Sequence, residues 1–474
     1  MGALKEPEKF ELHKEYGRAK FGDRRLTRRL LRMTAVIAPE AGASFPTMAE
    51  NDAELEATYR FLNNERVTAE RIVAPHVRQT VRRCRGAKRV VVAHDTTEFN
   101  FGKGARANLG LVGRGKSHGF YGHFALAVDD GELRCPLGVL GFAIHSRDGS
   151  KGKGKGRGHK TLQSDPTNES RRWLAVVERA EQALEKCSAI HVMDREADSY
   201  ALMATLVENG TRFVVRMAGA KRAIVDAEAE TVGAKLGMAP ILAEREVSLS
   251  ARGKSLLPSY RKLHPERRAR MAKLQISATV VTLKRPDSSN QCPQRTLTLN
   301  VVHVTESEPP EGEPAVEWRL WTTEPIGSAA DVLAVVDAYR CRWMIEEYFK
   351  ALKTGCAIES RQLETHDGLV NALALFVPVA WRLLMLRTLS RDATQHPATK
   401  VLTPIQLRCL AGALRKLKRP PLAEQPTVRD AMLGVAGLGG HIKNNGDPGW
   451  IVLGRGLDKL LAIEVGFRLA TEQM

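Results

Sequence analysis

Two short, almost continuously apolar runs, each closing on an aspartate, constrain this chain more than any other feature. One is Arg89-Val-Val-Val-Ala-His-Asp95 and the other Ala189-Ile-His-Val-Met-Asp194. Runs of this length without helical spacing read as buried strands. Between them, Phe120 to Asp129 and Leu133 to His145 read as two strands joined by the Asp-Asp-Gly turn at 129–131, and Ser170 to Lys186 reads as an amphipathic helix. A helix from Ser199 to Glu208 and a strand from Arg212 to Met217 follow. The order through the second aspartate is three strands, a helix and a strand.

In α/β sheets, strand ends open into the crevice where ligands bind, which makes Asp95 and Asp194 candidate site residues. Taken singly, an aspartate after a strand reads as a helix N-cap or a turn residue. Two of them in this order weaken that alternative, because the same order sets carboxylates side by side in RNase H-like folds. A third acid then has to come from a helix. Ala329 to Thr354 reads as one long helix, and in it Arg342, Glu346 and Lys353 follow Tyr339 by 3, 7 and 14 residues. At about 100° per residue all four fall within roughly 60° of one another. A stripe of an aromatic, two cations and a carboxylate is costly to bury without charged partners. An exposed, salt-bridged face would include Glu347 and Lys350 equally well.

Three carboxylates without cysteine or paired-histidine ligands favour Mg2+ or Mn2+ over Zn2+. Two such ions roughly 3.5–4 Å apart would activate an attacking oxygen and stabilise a leaving one in an in-line phosphoryl displacement. On chemical grounds Asp95 would bridge both ions, with Asp194 and Glu346 each holding one.

Composition sets the wider frame. The 474 residues are too many for one core, so two or three domains are expected. Lys and Arg number 72 against 54 acids, a net charge of +18 that attracts polyanions, although ribosomes or anionic membranes would suit it too. The seven cysteines never form a CxxC pair, which argues against zinc and a disulfide framework and suits a reducing cytoplasm. Met1 to Tyr16 lacks an apolar signal region, so no secretory signal is expected. Leu369 to Leu386, interrupted by Asn371 and Arg382, reads as a buried helix rather than a membrane span.

Phe10 to Glu70 reads as helical. Within it, Phe21 to Arg32 sets Arg24, Arg25 and Arg28 around Leu26, Leu30 and Leu31, a basic face opposite an apolar one that suits docking on DNA. A solvated charged face is the equal alternative. Lys151 to Lys160 alternates glycine with basic residues and reads as a loop able to embrace phosphates or as a plain linker. From about 220 to 323 the pattern is β with basic connections, notably Arg261 to Lys273. The remainder after Thr354 is helical, and no internal repeat is present.

The run Tyr339–Lys353 has the Y-(2)-R-(3)-E-(6)-K spacing of the insertion-sequence-four group of bacterial DDE transposases. The resemblance extends along the chain through Phe21-Gly-Asp-Arg-Arg25, Ala57-Thr-Tyr-Arg-Phe-Leu-Asn63, Asp95-Thr-Thr97, Val192-Met-Asp-Arg-Glu-Ala-Asp198, Arg212-Phe-Val-Val-Arg216, Trp318 to Pro325 and Leu438-Gly-Gly440. It implies a helical DNA-binding domain over 1–70 and an RNase H-like catalytic domain, a mixed five-stranded sheet with helices, over 71–369. It further implies a β-rich insertion at about 220–325 and a helical dimerisation domain over 370–474. By the resemblance, Asp95, Asp194 and Glu346 are the DDE triad, with Mg2+ as cofactor, Mn2+ as substitute and two ions per site. Similar enzymes cut both strands at their element's ends through a hairpin inside a synaptic homodimer, join the ends to target DNA, and work at the bacterial nucleoid in the cytoplasm. Arg216, Tyr339, Arg342 and Lys353 are then DNA contacts, with Arg24, Arg25 and Arg28 at the element end. The 151–160 loop and the 261–273 arm depart from the family's wording.

A hairpin requires a base near the cut to be unstacked and flipped, and an aromatic platform stabilises the extruded base. Trp318, which matches the family's tryptophan, is the candidate; an ordinary strand-core role is its alternative. Two rivals use the same residues differently. A nuclease or resolvase would need the three acids but has no reason for Tyr339, Arg342 and Lys353 on one stripe. A domesticated DNA-binding regulator commonly lacks one of the acids, and all three are present.

Overall fold

The computed structural model describes residues 12–37, 42–104, 109–113, 117–131, 133–146, 171–185, 187–249, 251–254, 265–391, 396–442 and 447–472. The chain opens with five helices, α1 (Leu12–Tyr16), α2 (Arg24–Ile37), α3 (Phe45–Met48), α4 (Asp52–Leu62) and α5 (Ala69–Gly86). Strands β1 (Val90–Asn100), β2 (Gly110–Val112), β3 (Ser117–Asp129) and β4 (Pro136–His145) follow, then α6 (Arg171–Leu184), β5 (Ala189–Met193), α7 (Tyr200–Glu208), β6 (Phe213–Arg216) and α8 (Val232–Gly237). Next come β7 (Ile241–Leu249), β8 (Arg270–Lys284), β9 (Thr296–Glu306) and β10 (Glu317–Thr322). The chain ends in helices α9 (Ala329–Arg340), α10 (Trp343–Lys350), α11 (His366–Leu389), α12 (Pro404–Lys416), α13 (Val428–Leu438) and α14 (Trp450–Glu472). The class is mixed α/β. Contacts divide the chain into two units, one from residues 1–152, 176–188 and 343–474 and one from 153–175 and 189–342.

In the first unit β3 pairs antiparallel with β1, from Val90↔Asp129 to Asn100↔Gly119, and also with β2 and β4. Val90 to Ala93 are buried in succession, as the apolar run requires. Phe124 stacks on Phe142 and meets Tyr348 and Phe349 of α10. At Gly119 a Cβ would lie 1.9 Å from the Phe99 carbonyl oxygen, so β1 and β3 approach there more closely than any side chain permits. A similar close approach joins α13 to α14, where a Cβ on Gly456 would lie 1.8 Å from the Val435 carbonyl oxygen.

Helix α11 is long and apolar enough to cross a bilayer by length and composition, and 94% of its apolar window is buried inside the protein. Asn371 and Arg382, which interrupt its sequence, are both buried and paired. Asn371 donates to the carbonyls of Leu62 (2.8 Å) and Val67 (3.0 Å), and Arg382 to Gln406 (3.0 Å). Trp381 donates its indole N–H to the Pro136 carbonyl at 2.8 Å. The helix is the core of this unit.

In the second unit β5 and β6 are parallel, β6 takes β10 antiparallel, and β9, β8 and β7 follow in order. The strands of the 220–325 segment therefore extend the sheet of β5 and β6. Arg270 to Lys273, read above as part of a basic connection, are instead the first residues of β8. Their charges hid an alternation in which Ala272, Leu274 and Ile276 point inward, and Arg270 is neutralised by Glu306 at 2.9 Å and by Glu313. The 151–160 segment lies outside the described residues.

Helix α1 is tied to the first unit by a buried charge network. His76 Nε2 accepts the Val139 amide at 3.0 Å, so its ring proton sits on Nδ1, 2.5 Å from Glu15. Arg83 donates to the same carboxylate at 2.8 Å and lies 3.9 Å over the Trp381 ring. Burial pushes the Glu15 carboxyl up, but His76 and Arg83 outweigh it and lower it from 4.5 to about 2. A carboxyl with a depressed folded-state pKa contributes stability above its unfolded pKa and loses it as pH falls through the folded one. At about 1.4 kcal/mol per unit the shift is worth roughly 3 kcal/mol. Glu15→Gln should lower the unfolding free energy at neutral pH by that order and flatten its dependence between about pH 4.5 and 2. Denaturant titrations across that range check it, and an unchanged acid limb would place the controlling charge elsewhere.

Candidate active site

Asp95 does not close its strand. It is the sixth of the eleven residues of β1, which continues through Thr96 to Asn100 against His123 to Gly119. The β-branched Thr96 and Thr97 and the fully buried Phe99 extend the strand past the acid. One carboxylate oxygen of Asp95 accepts the Thr96 amide at 2.7 Å. On the opposite face of β1, buried His94 stacks with His123 at 5.6 Å, and Thr96 bonds His123 at 3.0 Å.

Glu346 lies in the first turn of α10, which packs on β1 within the same unit. The expected single helix from Ala329 to Thr354 is two helices. Cys341 N–H bonds the Ala338 carbonyl (3.1 Å) and Arg342 N–H the Tyr339 carbonyl (3.0 Å), a tightening that ends α9 and resets the helical phase. Residues Ala351–Gly355 then widen into a π turn, so a second phase change separates Glu346 from Lys353. The stripe computed at a constant angle per residue is thus interrupted twice, and no Pro or Gly between 329 and 354 warned of either. The Lys353 ammonium donates to the Glu98 carbonyl, stands 3.5 Å from Glu359 and lies 5.4 Å from the Phe99 ring centre. Glu359 in turn accepts the Asn100 amide at 2.9 Å.

The second unit gathers five of the sequence candidates. Asp194 directly follows β5 and caps a short 3-10 turn, its carboxylate accepting the Glu196 amide at 2.9 Å, so the turn-residue reading of this aspartate also describes its geometry. Tyr339 is 5% exposed and meets Trp318 edge to face with ring centres 5.5 Å apart. Burial raises the Tyr339 hydroxyl and the Asp194 charge adds to this, while Arg342 and Arg216 beside it pull it down. Burial likewise lowers Arg216, with Arg195 and Arg342 acting in the same sense. A carboxylate, two crowded guanidiniums and two rings in contact are thus gathered in one unit. Sequence reasoning missed Arg195, which only the fold brings to this cluster, and Asp198 with Trp321 below it.

At the amino end Arg24, Arg25 and Arg28 are exposed on the first turns of α2. Arg25 pairs with Asp23 at 2.9 Å, and the next two arginines, Arg29 and Arg32, are taken by Glu54 at 2.6 and 2.8 Å. The buried face is Leu30, Met33, Thr34 and Ile37, whereas Leu31, expected on the apolar side, is 37% exposed.

Among the described residues no three His, Cys, Asp or Glu side chains form a ready metal-binding group. The donor chemistry of Asp95, Asp194 and Glu346 nonetheless fits a hard divalent cation, since all are carboxylates and two are oriented by backbone amides. The protein is thus a mixed α/β chain that carries candidate carboxylates and a cluster of crowded guanidiniums. Two family models then match the chain, transposase DNA-binding over residues 12–67 and transposase DDE domain over residues 161–377. Together they cover more than half of the 474 residues, and the chain is a DDE transposase, a DNA-binding nuclease and strand transferase of a class that uses divalent metal. Among solved structures, the cryo-EM structure of a piggyBac transposase synaptic complex with hairpin DNA is similar to it. Identity is 10% over 84% of this chain and 74% of that one, with a TM-score of 0.33, a level that decides neither fold nor activity.

Tyr339→Phe keeps the ring on Trp318 and removes a buried hydroxyl between two guanidiniums. That hydroxyl is buried without a hydrogen-bond partner among the described residues, so its removal should change stability by less than about 1 kcal/mol. Tyr339→Ala, which also empties the ring site, should cost about 3–5 kcal/mol. Chemical denaturation of both variants measures the difference, and equal losses would assign the role to the hydroxyl and none to the ring.

Proposed function

We propose that this enzyme is a cut-and-paste transposase of the insertion-sequence-four group, similar to the transposon-five transposase, with an RNase H-like core over 71–369. The observation that carries the reading is the cluster of Asp194, Arg216, Trp318, Tyr339 and Arg342, which joins a carboxylate to cations and a stacking surface. Asp95, Asp194 and Glu346 hold Mg2+, two ions per site with Mn2+ as substitute. Those carboxylates would hold the ions, whose chemistry would be activation of an attacking oxygen and stabilisation of a leaving one. Mg2+ sites generally combine one or two carboxylates with substrate phosphates and water, and among the described residues no three His, Cys, Asp or Glu form a closed cage.

The chain's own residues do the rest. Arg216 and Arg342 bind the distorted backbone, with the Tyr339 hydroxyl between them. Trp318, half-buried on β10, receives the flipped base and so makes the hairpin step possible. Lys353 reaches DNA only by exchanging its contacts with Glu98 and Glu359, and in their presence it braces β1. Residues 1–70 bind the element end through Arg24, Arg25 and Arg28, where an incoming phosphate would meet a helix amino terminus as well as cations. Residues 370–474 form the dimerisation region of the synaptic complex, supported by the outward-facing Ile463, Val465 and Phe467 of α14. The enzyme acts at the nucleoid in the bacterial cytoplasm.

Asp95→Ala, Asp194→Ala and Glu346→Ala should each abolish cleavage of element-end DNA with Mg2+ while leaving binding in Ca2+ intact. A variant that still cuts removes its residue from the triad. Trp318→Ala should keep the first nick and lose the hairpin, with partial rescue by an abasic site at the flipped position. Equal loss of both steps would return Trp318 to a packing role. Failure of a cleaved 3′-OH end to join target DNA would leave a nuclease without strand transfer.

A further inference from the structure

The turn that carries Asp194 is anchored at its far end by a carboxylate that the proposed chemistry does not use. The Asp198 side chain has no exposed surface, although its partner Arg222 remains 29% exposed. Arg222 stands 2.9 Å from one carboxylate oxygen, and the Trp321 indole N–H donates to that oxygen at 2.9 Å. The Ala218 amide donates to the other oxygen at 2.6 Å, and Arg222 also donates to the Asp198 backbone carbonyl at 2.6 Å. One side chain is thus fastened to β10 and to the segment that follows β6.

The four residues leading back to Asp194 leave little slack. Asp194 accepts the Glu196 amide at 2.9 Å, Ala197 N–H bonds the Asp194 carbonyl at 3.1 Å, and Asp198 N–H bonds the Arg195 carbonyl at 3.2 Å. Ala197 between them is fully buried. A shift at Asp198 has no flexible segment in which to dissipate before it reaches Asp194. Apolar side chains of equal volume often give as much stability as a buried ion pair, so stability alone does not account for the pair.

We infer that Asp198 is a positioning residue, which through Arg222, Trp321 and the Ala218 amide holds the turn that aims Asp194 at a divalent cation. The inference rests on the reading of Asp194 as a metal ligand. Groups that orient metal ligands typically change metal affinity about 10–100-fold when removed.

The test uses the full-length enzyme on element-end DNA, with Asp198→Asn, Trp321→Phe and Asp194→Ala compared. For Asp198→Asn the half-saturating Mn2+ for cleavage should rise about 10–100-fold, and excess Mn2+ should restore the rate. Hydroxyl-radical scission of the polypeptide beside residue 194, driven by Fe2+ in place of Mn2+, should fall in parallel. End binding in Ca2+ should stay near wild type. Trp321→Phe removes one donor and keeps the ring, so it should shift both readouts less and in the same direction, and it carries the test if Asp198→Asn does not fold. A folded variant with unchanged metal dependence, or a loss that excess metal does not restore, overturns the inference. If Asp194→Ala is inactive while both other variants match wild type, only the positioning role falls. If Asp194→Ala keeps both cleavage and scission, the metal-ligand reading falls and takes the inference with it.

Discussion

Successive side chains of a strand face opposite ways, and the first unit is organised around that alternation in β1. His94 and Thr96 enter a buried layer with His123, so Asp95 between them must face the other side. Because β1 continues for five residues past it, the acid is held by paired backbone on both flanks instead of at a fraying end. Lys353 on the Glu98 carbonyl and Glu359 on the Asn100 amide hold the distal half of the same strand. The carboxylate's direction is therefore a property of the sheet more than of its neighbours in sequence.

Asp194 solves the same problem by another route. Its strand stops at Met193 and a single 3-10 turn follows, with a backbone amide at one end and at the other an ion pair whose carboxylate is enclosed. A strand interior tolerates little adjustment, whereas a turn can be tuned by whatever grips it. That difference makes Asp198 informative in a way that no neighbour of Asp95 is.

Much of this was legible in the sequence, and the failures have definite causes. Continuous apolar runs located β1 and β5, and the Asp-Asp-Gly turn located the hairpin of β3 and β4, because burial and turn chemistry leave local marks. The end of β1 was misjudged because an acid inside a paired strand looks like a terminator when its cross-strand partners are unknown. The helix stripe was misjudged because the phase changes at Arg342 and at Ala351 come from hydrogen bonds of altered span and need neither Pro nor Gly. Its members were still worth naming. Tyr339 feels the charge of Asp194, and Arg342 that of Arg216, through tertiary structure, not through helical spacing. Arg270 to Lys273 concealed a strand because ion pairs to Glu306, Glu313 and Glu308 let charged residues occupy it.

The net charge was the weakest guide, for a physical reason. Many of the cations are struts. Arg83 holds Glu15, Arg212 holds Glu324, Arg245 holds Asp337, and Arg29 and Arg32 share Glu54. An arginine committed in this way releases no counterion when DNA arrives, and the salt dependence of binding counts neutralised phosphates, at about 0.9 per contact on duplex DNA. On the proposed function, the cations placed to contribute would be those that no protein acid neutralises among the described residues, such as exposed Arg24 and Arg28 on α2. Affinity for DNA would then rest on a few sites and would not spread over the +18 surface.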